Sequence, residues 1–155
     1  MLVKDVMGHS VRSVTADTPM IEVASLMCLY RYSGLPVVDD DGKLAGFIAE
    51  KDVFAQMLPS LQDLMQDGMA SVDMDDLMGK YKDVMALKVE DMMTKGAISV
   101  SPDMHVLRAA SVMARNRFRR IPVADNGTLV GVISLGDVHK AIYQSNIAVV
   151  GTINN

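Results

Sequence analysis

The sequence predicts a mixed α/β (α+β) fold made of one unit used twice, with a helical insertion between the copies. Two observations predict it. Matching residues run through both halves in one register, and each half passes from helical apolar spacing to a β-rich run, a turn, a second β-rich run and a closing helix.

The repeat is direct. Val3-Lys4-Asp5-Val6-Met7 returns 86 positions later as Val89-Glu90-Asp91-Met92-Met93. The same offset carries Val14 onto Val100, Ala24-Ser25 onto Ala110-Ser111, Met27 onto Met113 and Leu35-Pro36-Val37 onto Ile121-Pro122-Val123. One residue is lost where Asp39-Asp40-Asp41-Gly42 faces Asp125-Asn126-Gly127. The offset then becomes 85 and carries Gly46 onto Gly131 and Asp52-Val53 onto Asp137-Val138. The copies occupy residues 1–58 and 88–144, the insertion 59–87 and a tail 145–155.

Residues 12–15 and 97–100 read as short strands. Thr18-Pro19 and Ser101-Pro102 each set a hydroxyl before a proline, the order favoured at a helix start, so helices are expected to begin there. In the second copy Val106, Ala109, Ala110 and Met113 make one apolar helix face. Residues 35–39 and 121–125 are β-rich, glycine-containing turns follow, and 44–49 and 129–134 return as strands. Closing helices are expected over about 50–58 and 135–144.

In the insertion Met74, Leu77, Met78, Tyr81 and Met85 keep helical spacing, with Asp73, Asp75 and Asp76 at its cap and first turn. Met65 and Met69 suggest a shorter helix. Eight of the fourteen methionines lie between Met57 and Met93, so this part is either an adaptable contact surface or a helix packed on its own sheet. The tail has no charged side chain and an apolar centre at 147–150; it is expected to fray or to dock as an added strand.

Composition bounds the function. With 50% hydrophobic and 22% charged residues the chain is a folded protein with an aliphatic, methionine-rich core. Net charge −4 and basic residues in no long run argue against a nucleic-acid partner. No apolar stretch has signal-peptide or membrane-spanning length, so no membrane partner is expected and cytoplasmic residence is. Cys28, the sole cysteine, lies in an apolar helical pattern and is expected to be a buried thiol. There is no phosphate-binding Gly-rich loop and no zinc-type spacing. His9, His105 and His139 lie far apart, and Asp39-Asp40-Asp41-Gly42 lacks the later ligands of a calcium loop. No catalytic residue and no metal site is expected, and the chain is read as not an enzyme.

One stretch carries chemistry. Gly131-Val132-Ile133-Ser134-Leu135-Gly136-Asp137 runs from strand through a glycine-marked turn into a helix. A hydroxyl, a carboxylate three residues on and the free N–H groups of a first helical turn could hold a phosphate and a ribose together. Ser134-x-x-Asp137 equally fits a helix capping box with Asp in place of Glu.

These motifs resemble the CBS-domain family, named after cystathionine beta-synthase, in its tandem-pair form. The resemblance rests on Val-x-Asp-x-Met opening each copy, on Leu35-Pro36-Val37-Val38-Asp39 and Arg119-Arg120-Ile121-Pro122-Val123, and on the stretch ending at Asp137. It implies two β-α-β-β-α units packed about a pseudo-twofold axis, with an adenosine ligand in the cleft between repeats. It implies ribose at Asp137, phosphate at Ser134 beside Gly136, and adenine between Ala97-Ile98 and Pro122-Val123. Arg119 and Arg120 would face phosphate. The first copy departs, with Ala49 in place of the serine and Ser33-Gly34 in place of the arginines. It leaves a weaker second candidate at Asp52 and Lys51, toward which family clefts would let Arg119 and Arg120 reach. The ligand implied is AMP, ADP or ATP, with S-adenosylmethionine as an option that makes little use of the arginines. A regulatory homodimer with an effector protein follows; the alternative is a dimerisation module with no small ligand.

Overall fold

The structure, a computed structural model, describes residues 1–58, 65–66 and 73–153, with side chains as far as 147. It is a mixed α/β fold of two compact units that interleave in sequence. One contains Arg12–Asp40 and Ala45–Ala97, the other Met1–Val11, Asp41–Leu44 and Ile98–Asn155.

In the first unit helix α1 (Met20–Tyr30) leads to strands β1 (Gly34–Val38) and β2 (Leu44–Ala49), then helices α2 (Glu50–Met57) and α3 (Met74–Met85) and the short strand β3 (Thr94–Lys95). The sheet order is β1-β2-β3, with Phe47 opposite Thr94 in the antiparallel β2–β3 pair. On the free side of β1, Val14 bridges Val37 in parallel. The core joins Met20, Val23 and Met27 of α1 to Leu35, Val37 and Ile48 of the sheet, and to Val53, Met57, Val84 and Met85 of the other helices. Burial of these aliphatic and thioether side chains is the main favourable term holding the unit together.

The second unit has the same plan. Helix α4 (Val106–Asn116) precedes strands β4 (Arg120–Asp125) and β5 (Thr128–Ser134), and helix α5 (Leu135–Ile153) closes it. Val100 bridges Val123 in parallel, and Gly8 bridges Val132 on the far edge of β5. The core is Val3, Val100, Val106, Ala109, Met113, Ile121, Val123, Ile133 and Val138. Asn126 and Gly127 both take positive φ, 48° and 84°, the combination that a tight hairpin demands.

The opening segment of each copy packs in the unit built from the other. The Val3 and Lys4 amides donate to Met104 O (2.8 Å) and Pro102 O (2.9 Å); Val89 and Glu90 donate to Thr18 O (3.0 Å) and Ala16 O (2.8 Å). Within Val-x-Asp-x-Met the aspartate ties its own 3-10 turn. Asp5 accepts from the Leu2 amide at 2.8 Å and Asp91 from Lys88 at 2.9 Å.

This arrangement moves the helix starts. The carbonyls of Pro102 and Met104 serve the opening segment, so α4 begins at Val106, with His105 Nδ1 accepting from the Leu107 amide at 3.2 Å as its cap. Ser101 caps a turn instead, through the Asp103 amide. In the first copy Pro19 occupies the N-cap position, before the first helical residue Met20. The expected strands at 12–15 and 97–100 reduce to the bridges at Val14 and Val100.

Two further expectations change. Cys28 is exposed, because α1 buries Met20, Val23 and Met27 and each residue turns the helix by about 100°, which carries Cys28 off that face. The tail is neither frayed nor a strand through 153, since α5 continues to Ile153 with no proline to stop it and Asn146 donates to Ile142 O at 2.8 Å. Helix α3 spans its expected residues, and Asp73 accepts from the amides of Asp75 and Asp76. Its buried residues are Leu77, Val84 and Met85, while Met74, Met78 and Tyr81 face outward. The shorter helix suggested by Met65 and Met69 falls largely outside the described residues.

Candidate functional site

Strand β5 delivers Ser134 to the first turn of α5 because the strand ends where the helix begins. The antiparallel register sets Ser134 opposite Arg120, and the Leu135 amide donates to Arg119 O at 2.9 Å. The ladder therefore brings the serine, the two arginines and the helix start to one end of the β4–β5 hairpin. Both arginines are exposed, which suits cations that meet a solvated anion.

At that end Ser134 and Asp137 form a reciprocal box. Asp137 Oδ2 accepts from the Ser134 amide (2.8 Å) and from Ser134 Oγ–H (2.6 Å), and the Asp137 amide donates back to Ser134 Oγ (3.0 Å). Both side chains are half-buried. The cap thus uses the same atoms that the sequence reading assigned to a ligand. A phosphate or ribose arriving here meets groups already aimed at the helix N-terminus, where partial positive charge favours anions. Gly136 lies exposed between them, and a methyl on it would sit 3.6 Å from Ser134 Oγ, ordinary contact.

Along β4, Pro122 and Val123 are buried, and the chain around Val100 runs beside them: the Val100 amide donates to Pro122 O (3.0 Å) and Ala124 N donates to Val100 O (3.0 Å). Ile98, two residues upstream, is 45% exposed and belongs to this unit. Ala97 is the last residue of the other unit.

In the first copy Asp52 Oδ2 accepts only the Ala49 amide, at 2.8 Å, among its described bonds, since Ala49 has no hydroxyl to add. Lys51 is exposed beside it. Sequence reasoning passed over Phe47, whose ring lies directly on Gly34. Setting Gly34 beside Arg120 and Phe47 beside Val132, their counterparts at offsets 86 and 85, would have marked the pair.

Among the described residues no three of His, Cys, Asp and Glu gather into a metal-holding cluster. Among them, no helix is long and apolar enough to cross a membrane.

Comparison with known proteins gives the frame. The CBS domain family model matches residues 3–58 and 89–144. The uncharacterized protein MJ1426 of Methanocaldococcus jannaschii is 34% identical over 154 residues, covering 92% of this chain and 91% of its own. The crystal structure of CBSX2 in complex with AMP, a protein of Arabidopsis thaliana, superposes with a TM-score of 0.72 at 25% identity, covering 94% of this chain and 98% of that one. The CBS pair of protein MJ0100, solved with 5'-methylthioadenosine and S-adenosyl-L-methionine, shares the fold at a TM-score of 0.67 and 22% identity, over 94% of this chain and 98% of its own. Two family matches over the two copies, with a relative above 30% identity that is covered over 91% of its length, mean that the chain belongs to the CBS-domain family as a tandem pair.

Proposed function

We propose that the chain is a non-catalytic regulatory module that binds an adenosine nucleotide, AMP, ADP or ATP, through Ser134 and Asp137. Arg119 and Arg120 face the phosphate; the adenine lies by Ala97, Ile98, Pro122 and Val123. The observation that carries this is the Ser134–Asp137 box at the start of α5, with Arg120 set opposite Ser134 by the β4–β5 register and Arg119 O accepting from the Leu135 amide. Support comes from the AMP complex of CBSX2, which is similar over nearly the whole chain. S-Adenosylmethionine has no phosphate and would make little use of Arg119 and Arg120, so nucleotides rank first. Binding shifts the packing of the module only insofar as the ligand favours one arrangement over another. In this role the chain works in the cytoplasm as a homodimer and passes occupancy to an effector protein.

A second reading, an assembly module without a small ligand, is favoured by the outward Met74, Met78 and Tyr81 of α3. Calorimetric titration with AMP, ADP, ATP and S-adenosylmethionine separates the two. Nucleotide binding that is lost in Asp137→Ala and weakened in Ser134→Ala is expected; a wild-type chain silent to the whole panel rejects the sensor role and leaves assembly.

A further inference from the structure

At one place the two copies differ sterically as well as chemically. In the second copy Arg120 stands opposite Ser134, and Val132 lies two residues back along β5 on the same face. The first copy has Gly34 and Phe47 at these positions. A Cβ built on Gly34 would overlap Phe47 Cε1, lie 2.9 Å from Phe47 Cζ and come within 3.1 Å of Ile48 O. The Phe47 ring therefore occupies the volume into which a side chain at 34 would emerge. The glycine has no positive φ, so residue 34 is restricted by the ring first and by the Ile48 carbonyl second, not by the backbone conformation. Ala49 lacks the hydroxyl of its counterpart Ser134, and among the described bonds Asp52 accepts from the Ala49 amide alone.

The geometry points to Phe47 as a built-in plug. It fills, in the first copy, the place from which the second copy extends a phosphate-facing arginine, so that the chain carries one nucleotide site and not two. The inference rests on the nucleotide reading of Ser134 and Asp137 and adds to it the number of sites and the residue that sets that number. An aromatic ring on a bare glycine offers a phosphate neither a donor nor a charge, and it excludes the water that would solvate one.

Calorimetry on the full chain with AMP tests it. One AMP per chain is expected for the wild type and none for Asp137→Ala. The triple variant Gly34→Arg, Phe47→Val, Ala49→Ser, which gives the first copy the residues of the second, is expected to bind two, and one when Asp137→Ala is added. Two AMP per wild-type chain, or one retained by Asp137→Ala and lost with Asp52→Ala, overturns the plug while leaving nucleotide binding intact. Silence from both the wild type and the triple variant rejects the nucleotide reading and the plug with it. Should the triple variant not fold, thermal melts of Gly34→Ala, Phe47→Ala and the double variant decide the contact: Gly34→Ala is expected to lower the midpoint, and much less so when Phe47 is already alanine. Strictly additive midpoints would overturn the plug.

Discussion

Asp137 Oδ2 accepts two hydrogen bonds from Ser134, one from its amide at 2.8 Å and one from its hydroxyl at 2.6 Å. A single carboxylate oxygen thereby ties the end of β5 to the first turn of α5, and any ligand that engages this oxygen competes with a bond the fold already uses. On the proposed nucleotide reading, stability and binding are linked at this point.

Ser134→Ala removes the Oγ bonds but leaves the amide bond to Asp137. A loss of about 1 kcal/mol in chemical denaturation is expected, the ordinary worth of a serine cap. Asp137→Asn keeps the size of the side chain and is expected to weaken nucleotide affinity by more than its effect on stability would suggest, read from titration and urea melts on the same sample.

Gly131 and Gly46 are glycines for closeness, not for a turn. A Cβ on Gly131 would lie 2.7 Å from Met7 Sδ and 2.8 Å from Gly8 O; one on Gly46 would meet Thr94 O and lie 3.2 Å from Met93 Sδ. The flexible methionine can yield but the backbone carbonyl cannot. Gly131→Ala and Gly46→Ala are each expected to cost about 1–3 kcal/mol in urea unfolding, the usual range for overpacking. Gly79, exposed in α3 with nothing near its Cβ position, is the control, and Gly79→Ala is expected to stabilise by about 0.5–1 kcal/mol.

Cys28 in the folded chain is expected to react with an aromatic disulfide reagent about as fast as in denaturant, since its side chain is exposed. Protection by tenfold or more in the native state would contradict the structure. Cys28→Ser should shift stability by no more than about 0.5 kcal/mol.

Two charged groups give the expected pH response. The Thr15 hydroxyl, which donates to Asp17 at 2.6 Å, holds that carboxyl below its ordinary 3.8. Its contribution is present above 3.8 and is lost as pH falls through the lowered value. The Asp103 carboxylate at 2.7 Å raises Lys4 above 10.5, so that contribution is present below 10.5 and is lost as pH rises through the raised value. Neither group titrates near neutrality. Thr15→Val is expected to move Asp17 back toward 3.8 in an NMR titration, and Asp103→Asn to leave the melting temperature at neutral pH unchanged within error, since exposed pairs contribute little.

The repeat, its single deletion, the hairpin turn at Asn126-Gly127 and the family all follow from the order of residues, because backbone preferences and apolar periodicity are local and a duplication doubles the signal. Helix α3 with its Asp73 cap was legible for the same reason. What the sequence did not carry was where chain segments meet. That Val3 and Val89 pack in the units of the opposite copies, which takes the Pro102 and Met104 carbonyls and delays α4 to Val106, depends on hydrogen bonds between residues about 70 to 100 positions apart. The exposure of Cys28 depends on which face of α1 meets the sheet. Ser134 and Asp137 stood out from their spacing, and the repeat marks Gly34 and Phe47 as departures, but the contact of the ring with Gly34 is decided by the tertiary structure, since a steric fit between neighbouring strands exists only once the strands are paired.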